Sequence, residues 1–389
     1  MVRSRTAHRH RAARHRYPVL TLYRGTVPGI DDDRLRRLRL AAQRLTPAEA
    51  APDARAAARA VVGVQAQDVR AAGLALRSRV PGLRRADVDG SGLIRTWAQR
   101  GTVHLVDPAD WPWLYAATGP RNRARFDAQM RQRGDYDTAT GMLGDLVAVL
   151  GDRLLDRAAL LSELAARGHR GLGQRSVNVL MPWAAAQGLV TGLPDGRYQA
   201  AEPPPAVDPD LALATLARRY LAGYGPASAA DLASWSGLPL GTARRALAAA
   251  GAAETPGAAG TAGVGETAGA AETAGSFEAA GDLLALPGTL DQAPPPAPPV
   301  LLLAAFDTAM LGYRTRAPLV APADDRHVLP GGGMLRPVVL AGGLAAATWG
   351  LGGAKRTVTV DWFRRPAGLA GLDAGLDAER VSVEAFLRS

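Results

Sequence analysis

Apolar residues recur along much of this chain at helical spacing, broken at intervals by short stretches that alternate instead. RLRRLRLAAQRL (34–45) and ARAAARAVVGV (54–64) repeat their apolar positions every three to four residues and predict helices. GLIRTWAQRGTVHLV (92–106) predicts a hairpin, and DPADWPWLYAATG (107–119) a helix with Asp107 as cap and Pro108 in its first turn. A second block follows: DRAALLSELAARG as an amphipathic helix ending at Gly168, a longer helix disturbed around Pro182, and LPDGRY as an Asp-Gly turn between short strands. The third block repeats the order, with three helices over 211–251, Ser228 as a cap, and the strand-like FEAAGDLLALPG from Phe277. Helix, turn, helix, hairpin is the order of a winged helix, and three successive blocks predict three of them.

The last block changes character. VLLLAAFD, RPVVLAGG, LAAATWGL and RTVTVDWF read as strands and predict a small β-barrel or sheet, closed by a terminal helix in DAERVSVEAFLRS. The expected class is therefore α+β, mainly α: three tandem winged-helix modules followed by a C-terminal β-barrel. The expected divisions are a basic tail at 1–30, winged helices at 31–125, 126–205 and 206–292, a Pro-rich connector at 293–299, and the barrel with its helix at 300–389. Inside the third module, residues 251–276 (with ETAG at 266 and again at 272) hold too few large apolar groups to pack, and predict a flexible insertion in the wing.

Composition narrows the chemistry. With 389 residues, 47% of them hydrophobic, the chain can bury a sizeable core. Its net charge is +10, but six arginines and no acid fall within residues 1–18, leaving +4 for the remainder. Lys355 is the sole lysine, so the positive charge is almost all guanidinium. The absence of cysteine excludes disulfides, thiolate zinc sites and a cysteine nucleophile. The histidines are His8, His10, His15, His104, His169 and His327, without the paired spacing of a metal site, so no metal and no cofactor is expected. The longest uncharged run, 337–354, is interrupted by glycines and reads as two strands rather than a membrane span. A soluble cytoplasmic protein, associated with the nucleoid and acting as a monomer without an obligate protein partner, is the expectation.

Two polar features stand out against this background. Gln65 and Gln67 lie one residue apart in the apolar stretch VVGVQAQDV. In a helix their side chains would diverge by about 200°, whereas an extended segment puts both on one face. Either they are ordinary amides at a helix end or they converge on one atom; Asp68, next in the chain, is the nearest alternative catalytic base. On the hairpin, a strand from residue 100 to 106 would turn Arg100, Thr102 and His104 to one face.

QAQ at 65–67, TWAQRGTVHLV at 96–106, FDTAMLGYRTR at 306–316, PGGGMLRP at 330–337 and ATW at 347–349, in this order, resemble the winged-helix DNA glycosylase family typified by AlkZ and YcaQ. The resemblance spans roughly residues 31–389. It implies a concave surface for double-stranded DNA containing alkylated purines, and a Gln-x-Gln pair, here Gln65 and Gln67, that excises N7-alkylated purines and in some members unhooks interstrand crosslinks. Thr102 and His104 fall on the family's hairpin and would position the lesion strand, with Arg100 on its phosphates. Two departures are visible: Thr315 stands where members often carry an acid, and the wing insertion is long. Lys355, the sole lysine, falls in the expected barrel rather than near the glutamines' module, so no lysine nucleophile is expected and the enzyme reads as monofunctional. The rival expectation is a non-catalytic winged-helix DNA-binding protein or transcriptional regulator, which offers no reason for the glutamines.

Overall fold

A computed structural model describes residues 30–132, 136–169, 174–252, 277–353 and 357–389. The basic tail, all but the start of the low-complexity insertion, and Lys355 lie outside the described residues.

The first block runs α1 (Asp32–Ala42), α2 (Ala54–Ala60), β1 (Val64–Gln65), α3 (Val69–Arg77), α4 (Arg85–Asp89), β2 (Ile94–Trp97) and β3 (Val103–Val106). Its helices start where side chains satisfy otherwise orphaned amides: Asp31 caps α1, Asp53 caps α2 and Asp68 caps α3. Asp107 caps a turn rather than a helix. Its carboxylate accepts from Ala109 N and holds Arg55 through both oxygens, and α5 (Trp111–Gln132) begins only afterwards. The second block is α6 (Tyr136–Leu150), α7 (Arg157–Ala166), α8 (Gln174–Ala186) and the hairpin β4 (Val190–Gly192) and β5 (Tyr198–Ala200). The third is α9 (Pro209–Tyr224), α10 (Ala229–Ser236), α11 (Leu240–Ala252), β6 (Glu278–Ala280) and β7 (Leu283–Ala285), with Ser228 and Asp231 forming a reciprocal capping box on α10.

Strand pairing crosses the first two blocks. The order β1-β3-β2-β4-β5 makes one five-stranded sheet, joined where Arg95 on β2 pairs with Gly192 on β4. α5 packs against both α8 and α9, so it sits at the junction of all three blocks.

The C-terminal block comprises β8 (Val300–Leu303), α12 (Thr308–Leu311), α13 (Asp325–Val328), β9 (Val338–Ala341), β10 (Leu344–Gly352), β11 (Thr357–Trp362) and α14 (Leu372–Arg388). The expected β-barrel is not formed. The strands make an open antiparallel meander, β11-β10-β9-β8, with β8 and β11 at opposite edges. β8 and β11 do not pair with each other, so the sheet does not close on itself. The apolar faces are covered by other elements instead. Val300 and Leu302 join Val339, Ala341, Leu376, Val383 and Phe386 beneath α14, while Leu301 and Leu303 join Leu340, Leu40 and Leu45 at the end of α1. A strand buried on both faces reads as an unbroken apolar run, and VLLL is that run.

Candidate active site

The site is built where β1 meets the hairpin. After α2 the chain reverses through Val62 and Gly63, both at positive φ. A Cβ on Gly63 would lie 2.7 Å from Val106 Cγ1, so glycine lets β1 close onto β3. Gln65 then pairs with His104, and Ala66 N–H donates to Val103 O at 2.7 Å. This extended path brings the two amides together: Gln65 Nε2 donates to Gln67 Oε1 at 2.9 Å. Gln65 is buried, at 8% exposure, and Gln67 faces solvent. Between them, Ala66 O accepts from Arg95 Nε at 2.9 Å, and Arg95 Nη1 reaches Tyr198 Oη of the second block at 3.3 Å.

Asp68 is adjacent but engaged. Its Oδ1 accepts from Arg70 N and Ala71 N at 2.8 and 3.0 Å as the cap of α3.

The hairpin departs from the expected straight strand. Residues Gln99–Gly101 form a tight turn with Arg100 at φ 56 and Gly101 at φ 67, and β3 begins only at Val103. The alternation argument therefore fails at Arg100, whose left-handed backbone breaks the period. Its side chain nevertheless reaches the amides from the tip: Nη1 donates to Trp235 O at 2.8 Å and Nη2 to Gln65 Oε1 at 3.4 Å. Two glycines allow the tip to be gripped. A Cβ on Gly101 would meet Arg125 Nη1 and Asn122 Oδ1 at 3.2 Å, and one on Gly237 would meet Arg100 Cα at 3.2 Å. Asn122 Nδ2 donates to Ala98 O at 2.7 Å, and Arg125 donates to Arg100 O.

Thr102 is half-buried, with Oγ1 donating to Gln99 O at 3.1 Å. His104 is only 3% exposed. Its Nδ1 faces Thr102 O at 2.9 Å, and because a carbonyl can only accept, Nδ1 carries the proton and Nε2 the lone pair. Burial, reinforced by the Arg100 guanidinium, pushes the imidazole pKa down to about 3, so it is neutral. His104 thus backs the amide pair rather than lining an exposed face with Arg100. A third glutamine went unnoticed in the sequence: Gln99, fully buried, ties the tip to the turn before β1 through Nε2 to Val62 O at 2.6 Å. Its place in QRG beside the hairpin was the available signal.

The other motifs assemble the scaffold. In FDTAMLGYRTR, Asp307 holds Arg79 through both oxygens at 2.9 Å with both side chains fully buried, and Arg79 also donates to Gln43 and Thr308. Gly312 lies flat against Tyr224, and Tyr313 lies under the Arg39 guanidinium, 3.9 Å from the ring centre. Thr315 is half-buried. PGGGMLRP makes an exposed turn through three glycines at positive φ, and Trp349 of ATW donates to Leu303 O at 2.8 Å across the sheet.

A cleft of about 280 Å³ opens between α5, the hairpin tip and the end of α10, lined by Arg100, Arg121, Asn122, Arg125, Ser236 and Gly237 among others. A larger cavity of about 370 Å³ lies around Asp53, Arg55 and Asp87, and neither glutamine lines it. Among the described residues, no cluster of His, Asp and Glu could hold a metal ion, and no helix is long and apolar enough to cross a membrane.

The site thus joins an amide pair to a neutral, buried imidazole on the neighbouring strand, set in helical blocks with hairpins. Residues 58–386 match the family model described as DNA glycosylase AlkZ-like, and the chain belongs to that family of DNA-binding repair glycosylases. Among solved structures it is similar to the Streptomyces sahachiroi DNA glycosylase AlkZ, with a TM-score of 0.67 and 21% identity over 91% of this chain and 96% of that one; this likeness is one of fold. No curated protein sequence matches significantly.

Proposed function

We propose that this chain hydrolyses the N-glycosidic bond of cationic N7-alkylated purines in double-stranded DNA, as a monofunctional glycosylase. The observation that carries the reading is the Gln65–Gln67 amide pair, with Asp68, the next residue, engaged as a helix cap. Glycoside cleavage passes through an oxocarbenium-like sugar and needs a water on the opposite face. A neutral base leaves poorly without an acid. An N7-alkylated purine already bears positive charge, so its departure needs no protonation. A glutamine cannot serve as a proton-transfer base, but its carbonyl accepts a hydrogen bond from water and turns the negative end of a dipole toward the developing cation.

The two amides divide the work. Gln67 is exposed and its Oε1 keeps a second lone pair beside the bond from Gln65, so it is the catalytic residue that holds the water. Gln65, with its oxygen toward Arg100 and its nitrogen toward Gln67, fixes the direction of that carbonyl. Thr102, at the hairpin tip, contacts the lesion strand, and His104 supports Gln65 as a neutral acceptor. A purine crosslinked through N7 has the same charged leaving group, so unhooking follows from the same step.

The test is release of base from a duplex containing one 7-methylguanine, under single turnover, beside a duplex with a neutral lesion. Release from the first alone is expected, and Gln67→Ala should slow it by roughly 10²-fold, the scale of losing one preorganised electrostatic contact. Parental rates in Gln67→Ala would refute the assignment. Binding without release would favour the non-catalytic DNA-binding reading.

A further inference from the structure

We infer that the cleft between α5 and the end of α10 binds one backbone phosphate of the lesion strand, with Arg121 and Arg125 as its clamp. The inference rests on the glycosylase reading for the identity of the strand. Arg100, the residue expected from sequence to contact phosphate, has its guanidinium turned inward to Trp235 O and Gln65 Oε1. Arg121 and Arg125, by contrast, are exposed and four residues apart on α5, which puts them on one face of the helix. Like charges at this spacing repel, and no acidic residue lines the cleft to offset them.

The neighbouring arginines of α5 are otherwise engaged, Arg123 donating to Tyr115 Oη at 3.0 Å and Arg131 lying over the Tyr136 ring. Arg121 has no hydrogen bond or ion pair among the described residues, and Arg125 is engaged only by its bond to Arg100 O and its position near the Phe126 ring. Two planar guanidiniums with free N–H groups, converging on a small acid-free cleft, match the fork geometry that phosphate oxygens take. A volume of about 280 Å³ suits a phosphodiester better than a base pair. The cleft shares Arg100 with the amide pair, and Gly237 forms part of its wall. A phosphate seated there lies beside Arg100, the residue that also reaches Gln65.

The experiment measures the affinity of the full chain for an undamaged duplex by fluorescence anisotropy across a salt series. The Arg121→Ala/Arg125→Ala double variant should lower the slope of log affinity against log salt by about 0.9, one phosphate's worth of released counterions. The Lys/Lys double variant should restore most of it, and Arg388→Ala, which removes a positive charge from α14 instead, should leave it unchanged. Circular dichroism verifies that the variants are folded. A methylphosphonate moved linkage by linkage along the strand beside an abasic analogue should find one position that weakens the parent and leaves the double variant unaffected. A parental slope in the double variant, an equal fall in Arg388→Ala, or the absence of a sensitive linkage would each overturn the inference. Since the salt slope is read on undamaged DNA, it stands or falls apart from base release.

Discussion

The protonation of His104 offers the most direct check on the site, because it ties a hydrogen bond to a measurable free energy. The imidazole is 3% exposed and its pKa is pushed down to about 3, first by burial and then by Arg100, against an ordinary value of 6.5. In the unfolded chain it takes a proton at the ordinary value. The stabilisation from keeping it neutral is therefore complete above pH 6.5 and is lost as pH falls toward 3. At 1.36 kcal/mol per unit, lowering the pH from 7.5 to 5.0 should cost about 2 kcal/mol through this residue alone. Urea unfolding at the two pH values, for the parent and for His104→Asn, isolates the effect. Asparagine places an amide N–H near the position of Nδ1 but does not titrate, so the contributions of other groups cancel in the difference. The parent should lose about 2 kcal/mol more than the variant over that interval. Equal losses, or an imidazole titrating above pH 6 in the folded protein by NMR, would refute the buried, neutral assignment.

The remaining predictions concern the site and its supports. With two amides that do not titrate and His104 ionising only near pH 3, the single-turnover excision rate should be nearly flat between pH 5.5 and 8.5; a limb near 6.5 would implicate an imidazole in proton transfer. Arg100→Ala should slow excision at saturating enzyme while leaving the salt slope of duplex binding unchanged, because its donors face inward; a lower slope would return it to the phosphates. Asp307→Ala should cost about 3–5 kcal/mol by leaving Arg79 charged and buried without its acid, visible as a lower urea midpoint. The double replacement Arg79→Met/Asp307→Leu should recover much of that loss.

Local pattern carried the helices and hairpins well, because the Ser228 cap and the alternation around residues 92–106 are short-range signals, although the cap expected at Asp107 holds a turn instead. It also allowed the extended geometry that brings Gln65 and Gln67 together. It could not show Arg100 in a left-handed turn, since a non-glycine residue adopts that conformation only when its surroundings enforce it. His104 is buried on the strand held between β1 and β2, while α5 and α10 pack on the hairpin tip, and no single window of sequence contains all of these elements. The open sheet was hidden for a related reason. VLLL announces burial on two faces, but α14 on one side and the end of α1 on the other come from opposite ends of the chain.

The contact between Tyr198 and Arg95 has a consequence for how relatives can exchange parts. The peptide between the two glutamines leans on Arg95, and Arg95 leans on a phenol contributed some hundred residues later, so residues 126–205 brought in from another sequence would arrive with their own version of that prop. Gly192, too, admits no larger graft without pushing on Arg95, whose carbonyl would stand 3.2 Å from a new Cβ. Chimeras at this seam should disturb the amide pair before they disturb the grip on DNA, leaving molecules that dock on damage and linger there.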